Sequence, residues 1–406
     1  MRVLYLHQYF RTPDEYGGTR SYEMARRLVK YGHEVHIISA NIDVKGGNLK
    51  KWKSTIIDGI NVHQIGIPYS NKMPYKQRMK SFFAFAYHSA VYASKISADV
   101  VLATSTPLTI ALPGIYISKK QKIPMVFEVR DLWPELPIAM GAIRGPLALL
   151  AKQLELFAYR NSSRIVALSP DMKKGIAQTG YPESKIHVIP NGADLELFSV
   201  TEAEKREFRA RFPWLGSNPF VLYAGTIGKI NGLEYMVKLA KETLKYDPKI
   251  KFLLIGDGAE KEKIQSLAIY EGVMDVNFYM LDPMPKKEVA KAFASATVSL
   301  SLFLNIKEMW ANSANKFFDS LAAGTPVAIN YKGWQAELLE QYKAGLILDY
   351  YDINQSAHKL VSFLNDPNRL LRSSMAARRL AEEKFDRDKL ARELENVLML
   401  AVDKQI

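Results

Sequence analysis

Short apolar runs alternate with longer amphipathic stretches along the whole chain. In the first half the runs are Val3 to Leu6, Val35 to Ile38, Asp99 to Ala103, Pro124 to Val129, Arg164 to Leu168 and Lys185 to Ile189. In the second half they are Pro219 to Ala224, Lys251 to Ile255, Val276 to Tyr279, residues 297–303, Val327 to Ile329 and Ile347-Leu348. Runs of this length with little polar alternation predict strands covered on both faces, as in a parallel sheet. The stretches between them carry helical spacing: Thr19 to Tyr31 with Gly32 as its stop, Pro74 to Ile96, Leu147 to Tyr159, 202–212, a helix from near Leu233, and 286–295. Strands and helices in alternation predict an α/β chain of two parallel-sheet domains facing a cleft. At 406 residues each domain has room for its own core. The turn Pro190 to Asp194 marks the boundary. The N-terminal domain then spans 1–195, the C-terminal domain 196–375, and helices over 376–406 pack back toward the first domain.

Residues 308–330 concentrate the chemical signals. Asn312 or Ser313 is placed to cap a helix whose Phe317, Phe318, Leu321 and Ala322 form one buried face, and Gly324 stands where a left-handed residue ends it. Asn315 and Lys316 then fall in the first turn, where free backbone N–H groups and the helix dipole favour an anion. Asp319 follows one turn later on the same face. A carboxylate about 6 Å beyond an anion site, at about 1.5 Å of rise per residue, suits a nucleotide diphosphate whose ribose hydroxyls it meets. The pattern equally fits an ordinary capped helix with Lys316 and Asp319 as a solvated ion pair.

A second loop tips this balance. Gly225-Thr226-Ile227-Gly228-Lys229 leads into a helix, so glycines admit a phosphate to the backbone and Lys229 adds a point charge. Two phosphate loops converging in one domain favour the ligand reading. Gly256-Asp257-Gly258, after the next strand, either holds a base edge by its backbone or makes a tight turn. In the first half, Gly17-Gly18 occupies the enlarged loop after the first strand, as a ligand-facing segment or a plain flexible turn. Arg130-Asp131 stands immediately beyond a buried strand, in the crevice where open α/β sheets bind ligands. There a guanidinium meets a phosphate or sugar hydroxyl and a carboxylate orients an alcohol nucleophile.

Composition narrows the classes. The chain has no cysteine, which excludes disulfides, thiolate metal sites and thiol nucleophiles. No run approaches a membrane span, and the opening residues run straight into a strand with too short an apolar stretch for a signal peptide, so a cytoplasmic location is expected. The net charge of +13 is uneven, with 26 Lys and Arg against 15 Asp and Glu in residues 1–200. Residues 44–98 are the extreme: Lys45, Lys50, Lys51, Lys53, Lys72, Lys76, Arg78, Lys80 and Lys95 face only Asp58. Such a surface attracts phosphate. With the aromatic helix Pro74 to Ile96 and the basic loop around Trp52, it fits either contact with an anionic membrane surface or a crossover helix packed against the sheet with its lysines solvated, and nucleic acid is not expected.

The motifs in order are Gly17-Gly18, PNGAD at 190–194, YAGTIGKINGLEYMVKLA at 223–240, LLIGDGAE at 253–260 and NKFFDSLAAGTPV at 315–327. This series resembles the retaining glycosyltransferases of family 4, over nearly the whole chain. RDLWPE at 130–135, GKINGL at 228–233, NKFFD at 315–319 and Gly333-Trp334 are most similar to the WbuB-like branch, which adds aminosugars in surface-polysaccharide assembly. The resemblance implies a GT-B fold of two Rossmann-like domains. It implies a nucleotide-sugar donor, UDP-linked, held by the second domain, and a glycan or lipid-linked acceptor held by the first. The family's Glu-x7-Glu signature aligns its ribose-binding Glu with Asp319 and its sugar-contacting Glu with Ala311, leaving Glu308 as a nearby substitute. The usual phosphate-binding Arg and Lys align with Thr226 and Asn231, so Lys229 and Lys316 carry the charge. The family's His-Asp pair becomes Arg130-Asp131.

These assignments predict a retaining sugar transfer without a metal or other cofactor, with the departing diphosphate stabilised by Lys229, Lys316 and the helix N-terminus. The lone Asp-x-Asp, Asp386-Arg387-Asp388, is far from any strand end. Two rivals stand beside this reading. A non-hydrolysing nucleotide-sugar epimerase needs acid and base carboxylates on both sugar faces, and Ala311 argues against it. A non-catalytic binder of anionic surfaces leaves the paired phosphate loops unexplained.

Overall fold

The computed structural model describes residues 1–15, 17–42, 51–70 and 73–403. Lys45, Lys50 and Lys72 of the basic stretch lie outside the described residues. The first sheet contains β1 (Arg2–Leu6), β2 (Glu34–Asn41), β3 (Lys53–Ile57), β4 (Ile60–Gly66), β5 (Val100–Thr104), β6 (Met125–Val129), β7 (Arg164–Ala167) and β8 (Ile186–Val188). Its order is β3-β4-β2-β1-β5-β6-β7-β8, parallel except for the antiparallel β3. The β3–β4 hairpin turns at Asp58-Gly59, both with positive φ. Such a two-residue turn matches the strand twist and favours an Asp-Gly pair. This hairpin occupies part of the stretch expected to be a basic loop.

Six helices join these strands: α1 (Arg20–Lys30), α2 (Tyr75–Ala93), α3 (Ala111–Gln121), α4 (Glu135–Ala139), α5 (Pro146–Arg160) and α6 (Pro170–Gln178). Alternate residues of β1 enter opposite faces, as period-two geometry requires. Leu4 and Leu6 join the layer containing α2, α3 and α5, while Val3 and Tyr5 join the layer containing α1.

The second sheet is wholly parallel, in the order β11-β10-β9-β12-β13-β14. Its strands are β9 (Phe220–Ala224), β10 (Lys251–Ile255), β11 (Phe278–Leu281), β12 (Val298–Ser301), β13 (Val327–Ile329) and β14 (Gly345–Ile347). The accompanying helices are α7 (Glu202–Ala210), α8 (Glu234–Leu244), α9 (Lys261–Tyr270), α10 (Lys286–Ser295), α11 (Asn315–Ala322), α12 (Trp334–Tyr342) and α13 (Ile353–Leu364). α14 (Pro367–Leu380) packs against α11, and a π-helical turn, Ala381–Phe385, follows. α15 (Arg387–Val402) then crosses to the first sheet, where Leu390, Leu394, Val397 and Leu398 join the α1 layer. The Asp-x-Asp sits at this crossing. Asp386 caps α15 by accepting from the Asp388 N–H, and Asp388 pairs with Arg27 of α1. Both carboxylates are engaged in joining the helices.

Candidate active site

The carboxyl ends of the two sheets meet at Gly18. A Cβ placed on it would lie 3.6 Å from both the Arg130 guanidinium and the Asn315 side-chain amide. Gly18 belongs to the loop after β1, Arg130 follows β6, and Asn315 opens α11. Three residues selected from sequence thus converge from three elements and both sheets.

On the first-domain side, Arg130 is held from two directions. Its backbone N–H donates to Ser105 Oγ at 2.9 Å, and its guanidinium lies 3.2 Å from His7 Nε2. His7 is buried, and its Nδ1 lies 2.7 Å from Ser21 Oγ. Burial, and then the positive charge of Arg130, push the His7 pKa well below its ordinary value. The imidazole is therefore neutral and presents Nε2 to the guanidinium as an acceptor, with Nδ1–H donating to Ser21. No sequence motif marked His7, although its place directly after β1 is another strand-end position. Asp131 does not neutralise Arg130 by a salt bridge among the described contacts; burial raises its pKa. Gly17, at φ +135°, turns the loop beside Arg11.

Beneath this loop lies a buried ion pair. Arg20 donates to Glu128 at 2.9 and 3.0 Å and to the carbonyls of Ile189 and Pro190, while Thr104 donates to the other Glu128 oxygen. Burial alone would raise the Glu128 pKa, but Arg20 holds it below its ordinary value. The network ties the start of α1 to β6 and to the turn at 190–194, fixing the loop that carries Gly18.

On the second-domain side, Lys316 reaches back under the β9 loop. Its ammonium lies 5.1 Å from the Tyr223 ring centroid and 4.9 Å from that of Phe303, and a Cβ on Gly225 would lie 3.2 Å from its Cε. Burial pushes its pKa down to about 8. The Thr226 carbonyl accepts from Tyr223 Oη at 2.9 Å, which holds the loop over the ring. Gly228 leads into the short turn Lys229–Asn231, and Lys229 is exposed with no ion pair among the described residues. Asp319, 4% exposed, pairs not with Lys316 but with Lys286 of α10 at 2.5 Å. Its other oxygen has no partner among the described residues, so a buried acceptor remains free one turn beyond Lys316. Lys286 carried no signal in the sequence, because only the fold brings it to a residue so distant in the chain.

The side-chain cap expected from Asn312 or Ser313 is not formed. The residue preceding α11 is Ala314, which cannot cap with its side chain. Asn312 accepts from the Ala314 N–H and donates to the Met309 carbonyl, forming the turn that feeds the helix. Ser313 Oγ accepts from the Asn191 N–H, and Asn191 returns a bond to the Ser313 carbonyl at 2.6 Å. Asn312 and Ser313 therefore shape the turn and seal the interdomain seam, and the first N–H groups of α11 have no side-chain cap. Gly256 forms the tight turn, one of the two alternatives: its N–H donates to the Leu281 carbonyl, and a Cβ there would lie 2.0 Å from the Gly225 carbonyl oxygen. Its visible role is to let the two glycine loops pack together. Ala311 is buried against the first domain, its carbonyl accepting from Ser169 Oγ at 2.7 Å. Glu308 lies in the short turn Lys307–Met309 with no ion pair among the described residues. Also among the described residues, no three His, Cys, Asp or Glu side chains gather as a metal site, and no helix is long and apolar enough to cross a membrane.

Two parallel-sheet domains whose strand ends meet in this way have the GT-B fold. Residues 17–197 match the family model described as Glycosyltransferase Family 4, and residues 204–380 match Glycosyl transferases group 1. The chain belongs to glycosyltransferase family 4. Among its relatives is WcaI of Escherichia coli K12, named for glycosyl transfer in colanic acid biosynthesis. WcaI is 22% identical over 273 residues, covering 64% of this chain and 66% of that protein. The GDP-mannose-dependent alpha-(1-6)-phosphatidylinositol monomannoside mannosyltransferase of Mycobacterium tuberculosis is 24% identical, covering 72% of this chain and 82% of its own. The match to 2-deoxystreptamine glucosyltransferase of Streptomyces kanamyceticus covers 60% of that enzyme. This chain therefore spans less than two thirds of WcaI and of the Streptomyces enzyme. Among solved structures, Anabaena Alr3699/HepE in complex with UDP and glucose superposes with a TM-score of 0.74 at 15% identity, covering 98% of this chain and 99% of that one. Sucrose-phosphate synthase from Thermosynechococcus elongatus gives 0.77 at the same identity and covers 98% of each chain.

Proposed function

We propose that the chain transfers a sugar, an N-acetylated aminosugar, from a UDP-linked donor to a glycan or lipid-linked acceptor in cell-surface polysaccharide synthesis, with retention at the anomeric carbon. The observation that carries this reading is the convergence of Gly18, Arg130 and Asn315, with Lys316 against Gly225 directly behind. Arg130, Lys229, Lys316 and the uncapped N-terminus of α11 supply positive potential where charge grows on the leaving diphosphate. The free oxygen of Asp319 accepts from a ribose hydroxyl, in the role of the family's second Glu with one methylene less. Asp131 orients the acceptor alcohol. The cations at hand take the place of a metal, so chelation with EDTA leaves the rate unchanged. The protein works at the cytoplasmic face of the plasma membrane as a peripheral protein.

The donor base is tested with a nucleotide panel. The name of the mycobacterial relative specifies GDP-mannose, whereas the Anabaena structure holds UDP. UDP should raise the unfolding temperature more than GDP, and 2′,3′-dideoxy-UDP should protect less. Asp319→Ala should erase the difference between UDP and its dideoxy analogue. Protection by none of these nucleotides would sink the donor-site assignment. Proton NMR of the product's anomeric coupling decides retention.

A further inference from the structure

The helices α2, α3 and α5 cover one face of the first sheet with their inner sides, through Phe85, Ala93, Ile115, Ile117, Ala158 and Tyr159. Their outer sides are also apolar. On α2, Phe83 is 52% exposed and Tyr87 67%, with Val91 next at the same four-residue spacing. Lys76 and Lys80 extend the stripe at one end and Lys95 at the other, all exposed. On α5, the adjacent Leu149 and Leu150 are 62% and 65% exposed, and Leu147 and Phe157 join them. The two helices are linked across α3. Lys120 donates to Ser94 Oγ at 3.1 Å beside α2, and the Lys119 ammonium lies 5.8 Å from the Phe157 ring of α5.

The charge on this face has one sign. α2 and α3 contain no Asp or Glu. The only acid of α5, Glu155, is buried and accepts from Tyr159 Oη. Exposed leucines side by side cost solvation in water and gain nothing from nucleic acid, whereas apolar tips ringed by lysines suit an acyl boundary beneath anionic headgroups. The basic stretch at 44–98 is thus not by itself the docking element. Trp52, expected to contribute, stacks instead on Tyr92 with centroids 4.1 Å apart.

We infer that the outer faces of α2, α3 and α5 dock this protein on an anionic lipid bilayer, with Leu149 and Leu150 inserted. The inference rests on the lipid-linked acceptor reading and deepens it. Arg130 to Glu135 leads through α4 into α5, so docking α5 sets the acceptor edge of the cleft at the headgroup level, where a lipid-borne acceptor presents its sugar.

The full chain is sedimented with vesicles of phosphatidylcholine alone or mixed with about one third phosphatidylglycerol. Binding to the anionic vesicles, reduced by added salt, is expected. Leu149→Ser/Leu150→Ser should weaken partition about tenfold or more. Lys76→Glu/Lys80→Glu should weaken it on anionic vesicles. Both double variants should keep the unfolding temperature and its increase with UDP, because the altered side chains face solvent. Absence of binding to anionic vesicles overturns the proposal, as does unchanged binding by the leucine variant. A wild-type dimer that the leucine variant converts to monomer also overturns it, by showing that the face meets a second copy. Loss of UDP protection in the wild type would instead count against the transferase site alone.

Discussion

Replacing Lys316 by Met tests whether its buried charge serves a diphosphate. Burial depresses the Lys316 pKa to about 8, while an unfolded lysine titrates near 10.4. Below pH 8 both states are protonated, and the folded state carries the full cost of the buried cation. Between pH 8 and about 10.4 the unfolded chain holds more protons, so stability rises with pH and the cost fades. The shift corresponds to about 3 kcal/mol at most, and the contacts with Tyr223 and Phe303 offset part of it. Lys316→Met should therefore stabilise the ligand-free protein at pH 7 by about 1–3 kcal/mol, or about 2–4 °C per kcal/mol. The gain should vanish by about pH 10. Donor binding should respond in the opposite sense. Losing a charge-assisted hydrogen bond costs about 1.5–3 kcal/mol, roughly 10- to 150-fold in UDP affinity. In the wild type, the protonated fraction of Lys316 falls from about nine-tenths at pH 7 to about one-tenth at pH 9, so UDP affinity should drop about tenfold. Titration calorimetry at pH 7, 8 and 9 measures the slope, and thermal unfolding measures the stability. A slope that persists in Lys316→Met, or a variant neither more stable nor weaker in binding, refutes the assignment.

Four further outcomes follow from local geometry. Gly256→Ala drives a Cβ into the Gly225 carbonyl, so stability should fall by about 1–3 kcal/mol and the donor KM should rise. Gly272→Ala, with φ +70° but open space, should cost about 1 kcal/mol in unfolding experiments and leave KM alone. Burial, with the charge of Glu135 adding, pushes the Glu155 pKa up to about 7. The folded state then holds the extra proton between the unfolded pKa and 7, and stability is lost as pH rises through that window. Glu155→Gln keeps an acceptor for Tyr159 and should raise the unfolding free energy by up to about 3 kcal/mol at pH 8 but not at pH 4, read by chemical denaturation. Ala311→Glu restores the family's Glu-x7 spacing but buries a carboxylate in the interdomain seam, so thermal scans should show a loss of about 3 kcal/mol or more and assays no gain in rate.

Most strands, and the helices between them that were given limits, were legible because a parallel sheet writes itself as apolar runs separated by amphipathic helices. The run Val327 to Ile329 and the helix over 286–295 coincide with β13 and α10. The β3–β4 hairpin was missed although Asp58-Gly59 is a strong turn signal, because the lysines around it drew attention to charge rather than to alternation. At the site, Gly18 and Arg130 were legible in loops beyond buried strands, and Asn315 and Lys316 in the first turn of a helix. Asn312 and Ser313 looked like caps by spacing alone. Their polar groups are claimed by Met309, Ala314 and Asn191, and nothing local announces a partner that distant in the chain. His7 and Lys286 were invisible for the same reason, since each acquires its role from a residue brought to it by folding.

The three cations of the site differ in what keeps them charged, and this difference divides their work. The neutral histidine partner of Arg130 fixes the direction of its guanidinium without taking up its charge. Lys229 is exposed, so water and salt screen its charge. Lys316 has exchanged hydration for two ring faces, and its field is therefore the least screened. A diphosphate arriving beside it supplies the counter-charge that the ligand-free protein lacks, since Asp319 is already paired with Lys286. The site is thus most favourable for a bound anion beside Lys316. A carboxylate in place of the buried Ala311 would lower this potential.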